Sequence, residues 1–139
     1  MDTSFEEKSA WIQLASLVIG LGGYLSFAGI LMSNGINVLP AFVPFLVAAI
    51  VVIVAINVVG HVAVAIKNRS VEGDERDQLI GCRAESQSAW ILGVGVIGAI
   101  IALILSVHYF WVVHLLLISL FSSEIIKLVL QVVYYRSGI

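Results

Sequence analysis

Two long stretches of this sequence contain no acidic or basic side chain. The first runs from Ser9 to Ile66 and the second from Ser86 to Ser123. A membrane-spanning helix needs roughly 20 apolar residues, so the first stretch is long enough for two spans and the second begins two more. Only 12% of the 139 residues are charged and 60% are hydrophobic, whereas soluble domains carry about 25% charged residues. The sequence therefore predicts an all-α integral membrane protein with four transmembrane helices.

The four predicted spans fill the chain and leave no room for a soluble domain. They are expected near Ser9–Met32, Pro40–Ile66, Ser86–Val107 and Tyr109–Tyr135. The single domain, residues 1–139, then divides into a first hairpin (1–70), a central loop or helix (71–85) and a second hairpin (86–139). A secretory signal peptide is not expected, because the N-terminus is mainly acidic and no cleavage-site pattern follows the first apolar run.

Basic residues predict how the chain is oriented. Six of the seven lysine and arginine residues flank helix ends on one side of the membrane, and the two opposite turns have none. These six are Lys8, Lys67, Arg69, Arg76, Arg83 and Arg136. By the positive-inside rule, both termini and the central loop are cytoplasmic. We therefore expect a multi-pass protein of the cytoplasmic (inner) membrane.

A short repeat suggests that the two hairpins are copies of one unit. The tetrapeptide SAWI occurs at Ser9–Ile12 and at Ser88–Ile91, an offset of 79 residues. The second helices also end alike, with KNRS at Lys67–Ser70 and YYRS at Tyr134–Ser137, an offset of 67. Two-helix units begin and end on the same side of the membrane. The pattern therefore predicts two tandem parallel-repeat helical hairpins, related by an axis along the membrane normal.

Small residues occupy equivalent positions in the two copies. At the offset of 79, Ser16 and Gly20 correspond to Gly95 and Ala99. Helices associate in lipid where small side chains let their backbones approach closely. The first and third helices are therefore predicted to pack together through these four residues. The alternative is that glycine is simply frequent in membrane helices.

The central loop holds nine charged residues between Lys67 and Glu85. Asp74 can cap a helix, and nothing interrupts the chain between this cap and the third span. The loop is predicted to bind a protein partner through Asp74, Glu75, Arg76, Asp77 and Arg83. The alternative is a solvated collar of charges that only fixes the orientation.

The same loop resembles a known motif. The residues that carry the resemblance are Asp74-Glu75-Arg76-Asp77, Ile80, Arg83-Ala84, Ser88 and Trp90. They resemble the D-E-R-x-x-x-I-x-x-[KR]-A motif of small, uncharacterised membrane proteins of bacteria and archaea, which are often encoded beside short helix-turn-helix regulators. The resemblance covers roughly Val71–Ile91. It implies a membrane-bound regulatory partner, such as a small helix-turn-helix regulator, and brings no catalytic residues.

A glutamate and a lysine, Glu124 and Lys127, lie within the fourth span. Glu124 is near the bilayer midplane, where a charge costs about 2.5–3.5 kcal/mol on insertion scales, and pairing with Lys127 reduces that cost. At the offset of 67, Asn57 is the counterpart of Glu124. The sequence predicts one buried polar cluster of Asn57, His61, Glu124, Lys127 and Gln131. This cluster could join the hairpins, bind an ion, a proton or a small cation, or contact another subunit.

The sequence contains no pattern typical of an enzyme or a cofactor site. A bis-histidine haem is not expected, because His61 lies roughly 20 Å along the helix axes from the level of His108 and His114. The histidines lack zinc-ligand spacing, and no phosphate loop, nucleophile elbow or HExxH motif occurs. The net charge of -2 does not indicate a nucleic-acid surface.

Two functions remain for a non-enzymatic protein without cofactor or metal. In the first, it is a regulator or scaffold that binds a cytoplasmic or membrane partner through the central loop. In the second, it is a transporter-like unit that binds an ion or small cation at the midplane cluster. Four helices leave little room for a substrate path, so the second function implies a homo-oligomer.

Overall fold

The computed structural model describes residues 5–67 and 75–137, and within these ranges every regular element is a helix. The four α-helices are α1 (Phe5–Ser33), α2 (Val43–Lys67), α3 (Glu75–Ile104) and α4 (Tyr109–Ser137), and a single 3-10 turn, Leu39–Ala41, precedes α2. All four are long and apolar enough to cross a membrane, as the sequence predicts. α3 runs unbroken from its charged first turns into the apolar span, also as predicted. Its predicted cap, Asp74, lies outside the described residues.

Both hairpins turn through the same helix-ending motif. Gly35 has a φ of 77°, and the next N–H, that of Ile36, donates to the Leu31 carbonyl at 3.0 Å. At the end of α3, Ser106 has a φ of 59°, and the following N–H donates to the Ala102 carbonyl at 2.9 Å. A left-handed residue followed by this long backbone bond is the Schellman motif, which satisfies carbonyls at a helix end.

The helices pack in the order α2, α1, α4, α3. Among the described residues the extensive interfaces join α1 to α2, α3 to α4 and α1 to α4. The two hairpins are therefore joined through α1 and α4. The prediction that the first and third helices pack together is wrong. We call the end where α1 and α3 begin the charged end, and the opposite end the turn end.

The small residues of α1 face its own hairpin partner instead. Ser16 is fully buried and accepts a hydrogen bond of 2.7 Å from the Asn57 amide of α2. A Cβ atom added to Gly20 would overlap the side chain of Ile53. At these two positions, close approach of α1 is therefore used against α2 and not against α3.

The small residues of α3 are likewise used against α4. A Cβ atom added to Gly95 would overlap the side chain of Ser119. Nearer the charged end, seven residues before Gly95 on α3 and four after Ser119 on α4, the Ser123 hydroxyl donates to the Ser88 carbonyl at 3.0 Å. Ala99 is buried. In both hairpins the predicted packing residues are interface residues, but each interface lies within a hairpin.

The second helices of the two hairpins pair in a register other than the predicted one. Ser16 meets Asn57, whereas Gly95, which lies 79 residues after Ser16, meets Ser119. Ser119 follows Asn57 by 62 residues, not 67. In this packing, Ser119 rather than Glu124 occupies the position that matches Asn57.

Candidate functional site

A polar cavity lies at the charged end, between α1, α3 and α4. Its volume is about 220 Å³. On each helix the lining residues recur every three or four positions, so each helix presents one polar face to the cavity. The lining residues are Glu6, Ser9, Ala10 and Gln13 of α1, Asp77, Gly81 and Glu85 of α3, and Lys127, Gln131 and Tyr135 of α4.

Acidic groups outnumber basic ones around the polar cavity. Glu6, Asp77 and Glu85 bring carboxylates, and among the described lining residues Lys127 brings the one ammonium. That ammonium is paired with Glu124. Across the described chain, no three histidine, cysteine or acidic side chains are grouped closely enough to hold a metal ion. The cavity therefore favours a small cation that is bound by several polar groups.

Glu124 and Lys127 form the predicted ion pair. The Lys127 Nζ atom lies 2.5 Å from a Glu124 carboxylate oxygen, and the two side chains are 22% and 43% exposed, respectively. The lysine lines the polar cavity, and the glutamate is not one of its lining residues. Because the partners are three residues apart on α4, their pair neutralises a charge within one helix and does not join the two hairpins.

Asn57 and His61 bond to α1. The His61 Nδ1–H donates to the Asn57 carbonyl at 2.7 Å, so in the neutral ring Nε2 accepts from the Ser9 hydroxyl, also at 2.7 Å. The Gln13 amide donates to the same Ser9 oxygen at 3.3 Å. Since Ser9 and Gln13 also line the polar cavity, Ser9 is the link between the α2 polar groups and the cavity.

The five polar residues predicted to form one cluster are thus divided. Lys127 and Gln131 line the polar cavity and Glu124 pairs with Lys127, whereas Asn57 and His61 pack against α1. The physical reason is the packing order, because α2 packs on α1 and not extensively on α4. The single-cluster prediction is wrong in this respect.

The predicted partner-binding residues are also divided, among three faces of the first turns of α3. Asp74 lies outside the described residues. Glu75 is exposed, Arg76 and Arg83 border a groove against α4, and Asp77 lines the polar cavity. A helix rotates by 100° per residue, which separates neighbours that a linear motif groups together.

Contacts absent from the sequence predictions join the two hairpins. Near the turn end, the Tyr24 hydroxyl lies 3.2 Å from Nε2 of His114, and both side chains are buried. At the charged end, the Arg136 guanidinium lies 3.5 Å from the Glu7 carboxylate. These α1–α4 pairs, and not the predicted midplane cluster, join the two hairpins. No sequence periodicity distinguishes them from other polar residues in the spans.

The α1 and α3 linings of the polar cavity were also missed. The spacing of Glu6, Ser9 and Gln13 puts three polar groups on one face of α1, and this signal was available in the sequence. In comparisons with known proteins, no family model, no curated protein and no solved structure matches this chain. The motif resemblance therefore stays a prediction.

Proposed function

We propose that the protein is a small, non-enzymatic regulator or scaffold of the cytoplasmic membrane that binds a protein partner at its charged end. The orientation rests on the basic residues, which flank only this end of the helices and place both termini in the cytoplasm by the positive-inside rule. The bilayer covers the apolar outer faces of the four spans. The partner then approaches from the cytoplasm.

The length of α3 supports this proposal. Its 30 residues correspond to about 45 Å at 1.5 Å per residue, whereas the hydrocarbon core of a bilayer is about 30 Å thick. No charged residue occurs in α3 after Glu85. The first turns of α3 therefore extend beyond the hydrocarbon core, where a soluble partner can reach them.

One exposed strip on these turns carries the proposal. Glu75, Gln78, Leu79 and Cys82 are all exposed and share one face; we call them the α3 strip. The Leu79 side chain is 71% exposed. A leucine between polar residues beyond the hydrocarbon core provides an apolar anchor of the kind that a protein partner buries. The motif resemblance suggests a small helix-turn-helix regulator as that partner.

Quantitative co-purification tests the proposal. The tagged protein is isolated from its own membranes as the wild type, as Leu79→Ser and as Leu105→Ser. Leu105 is a matched control, because it is equally exposed but lies at the turn end. A specific partner should be retained by wild type and Leu105→Ser and lost from Leu79→Ser. Identical retention by all three proteins, or no enriched protein with the wild type, would contradict the proposal.

A second candidate function is the binding of a small organic cation in the polar cavity. The excess of carboxylates over ammonium groups in its lining favours this function. Ser9, Gln13 and Gln131 add hydroxyl and amide groups that can orient a primary ammonium. The turn-end half of the α1–α4 interface is packed with the buried Tyr24, Phe42 and Phe110 side chains, which favours binding from the charged end over passage through the protein.

Thermal stability in detergent tests this second function. Ethylammonium chloride should raise the melting temperature above that in sodium chloride at equal ionic strength, because a ligand that binds the folded state stabilises it. Glu85→Gln should abolish the increase. Glu75→Gln removes a nearby carboxylate outside the cavity and should keep the increase. Equal melting temperatures in the two salts would exclude ethylammonium binding.

A further inference from the structure

A second recess at the charged end lies between α3 and α4, on a different face of α3 from the polar cavity. This groove has a volume of about 440 Å³ and is lined by Leu79, Ile80, Cys82 and Tyr134, with Arg76 and Arg83. Its lining is mainly apolar and includes no acidic residue among those that the structure describes. It shares Leu79 and Cys82 with the α3 strip, but the proposed protein contact does not account for its two arginines or for its apolar recess.

The two arginines lie along one side of this groove. They are seven residues apart, so they share a face of α3 and are separated by about 10 Å along the helix axis. The Arg83 guanidinium carbon lies 5.6 Å from the centre of the Tyr134 ring, and Tyr134 in turn donates a hydrogen bond to Gln87. Arg83 and Tyr134 thus contact each other beside the apolar lining residues of the groove.

The groove also lies at a particular depth. It is built from the first turns of α3 and the last turns of α4. Both helices are longer than the hydrocarbon core is thick, so these turns extend beyond it. An apolar recess bordered by guanidinium groups then lies at headgroup level. Guanidinium groups bind phosphate oxygens in a geometry that ammonium groups do not match.

We propose that this groove binds an anionic phospholipid. Its phosphate group interacts with Arg83 and Arg76, and the beginning of an acyl chain lies along Cys82 and Tyr134. Basic pockets between transmembrane helices at the cytoplasmic side are suited to anionic headgroups. The apolar lining favours a lipid over a free inorganic anion, because an inorganic anion gains nothing from apolar walls. The groove shares Leu79 and Cys82 with the α3 strip, but lipid binding does not require a protein partner.

Native mass spectrometry of the purified full chain tests this proposal. The probes are dioleoylphosphatidylglycerol and the neutral dioleoylphosphatidylcholine. We expect the wild type to bind phosphatidylglycerol more tightly. Arg76→Gln and Arg83→Gln should each lower that affinity about fivefold, and the double variant about 25-fold, which corresponds to the usual contribution of a basic residue near an anionic surface. Affinity for phosphatidylcholine should not change.

Arg136→Gln is the matched control, because it removes the same charge from the same end outside the groove. It should keep the full preference for phosphatidylglycerol. Arg83→Lys, which retains the charge but not the guanidinium geometry, should lose less affinity than Arg83→Gln and covers the case in which a glutamine variant fails to fold. Equal affinity of the wild type for both lipids, an Arg136→Gln loss as large as the double variant's, or displacement of lipid by inorganic phosphate would overturn the proposal.

Discussion

The two hairpins have the same small-residue positions in their first helices but are held together by different interactions. In the first hairpin, side chains of α1 and α2 bond to each other across the interface, as Ser16 does with Asn57 and Ser9 with His61. In the second hairpin, Gly95 lets α4 approach α3 closely, and Ser123 bonds to the backbone of α3. Both hairpins use close approach at a glycine, Gly20 in the first and Gly95 in the second. The difference lies within the spans, where the first hairpin adds side-chain pairs and the second adds a bond from a side chain to the backbone of α3.

This difference shows what a repeated motif determines. The offset of 79 correctly matches buried positions in α1 and α3, because a small residue is needed wherever another helix comes close. It does not determine which chemistry the facing helix supplies. The facing helices α2 and α4 pair in a register shifted by five residues from the predicted one, and the glutamate–lysine pair within a span, Glu124 with Lys127, belongs to the second hairpin.

The largest expected effect concerns the ion pair, which has no equivalent in the first hairpin. Lys127→Leu leaves Glu124 without its partner, so the free energy of unfolding should fall by about 2.5–3.5 kcal/mol, the insertion cost of a charge at the helix centre. Replacing both residues with leucine should be much milder than this single change. Unfolding in detergent of the wild type, the two single leucine variants and the double variant measures this double-mutant cycle. Additive single effects would show that the two side chains do not interact.

Glycine substitutions should distinguish the two hairpins next. Gly95→Ala brings a Cβ atom onto Cβ and Oγ of Ser119, so α3 and α4 must separate at a cost of about 1–3 kcal/mol. Gly20→Ala should cost less, because Cγ1 and Cδ1 of Ile53 can move by side-chain rotation, whereas the Cβ of Ser119 moves only with its backbone. Gly93→Ala, in open space, serves as the control without loss. A larger loss for Gly20→Ala than for Gly95→Ala would reverse the comparison.

The two turns offer a smaller contrast. Gly35 and Ser106 both have left-handed backbone conformations, but only glycine adopts this conformation without a steric cost. Gly35→Ala should lower stability by about 1 kcal/mol and Ser106→Gly should raise it by up to about that amount. Melting temperatures of the two variants in one detergent measure both effects. Changes of the same sign would show that the two turns are not equivalent.

The smallest effect is expected for the polar pair of the first hairpin. A double-mutant cycle on Ser16→Ala and Asn57→Ala should give a coupling of about 0.6 kcal/mol, the average for hydrogen bonds between membrane helices. The Asn57 amide also donates to the Ile53 carbonyl of its own helix, which limits the loss. A coupling indistinguishable from zero would mean that close packing alone holds this hairpin.

The sequence predicts the fold class well and the site only in part. Charge-free stretches identify four spans because the bilayer strongly restricts where charges can lie. Helical spacing also identifies the Glu124–Lys127 pair, which is local to one helix. Contacts between helices are different, since Tyr24 with His114 and Ser9 with His61 depend on which helices are neighbours. The packing order α2, α1, α4, α3 is a tertiary property that no local pattern specifies.

In the proposed function, the exposed first turns of α3 bind a protein partner that approaches from the cytoplasm. Photo-cross-linking tests it most directly, with benzoyl-phenylalanine at Leu79 and, as the control, at the equally exposed Leu105. In irradiated intact membranes, position 79 should give one discrete protein adduct and position 105 should give none. Adducts of the same size from both positions, or no protein adduct from position 79, would contradict the account.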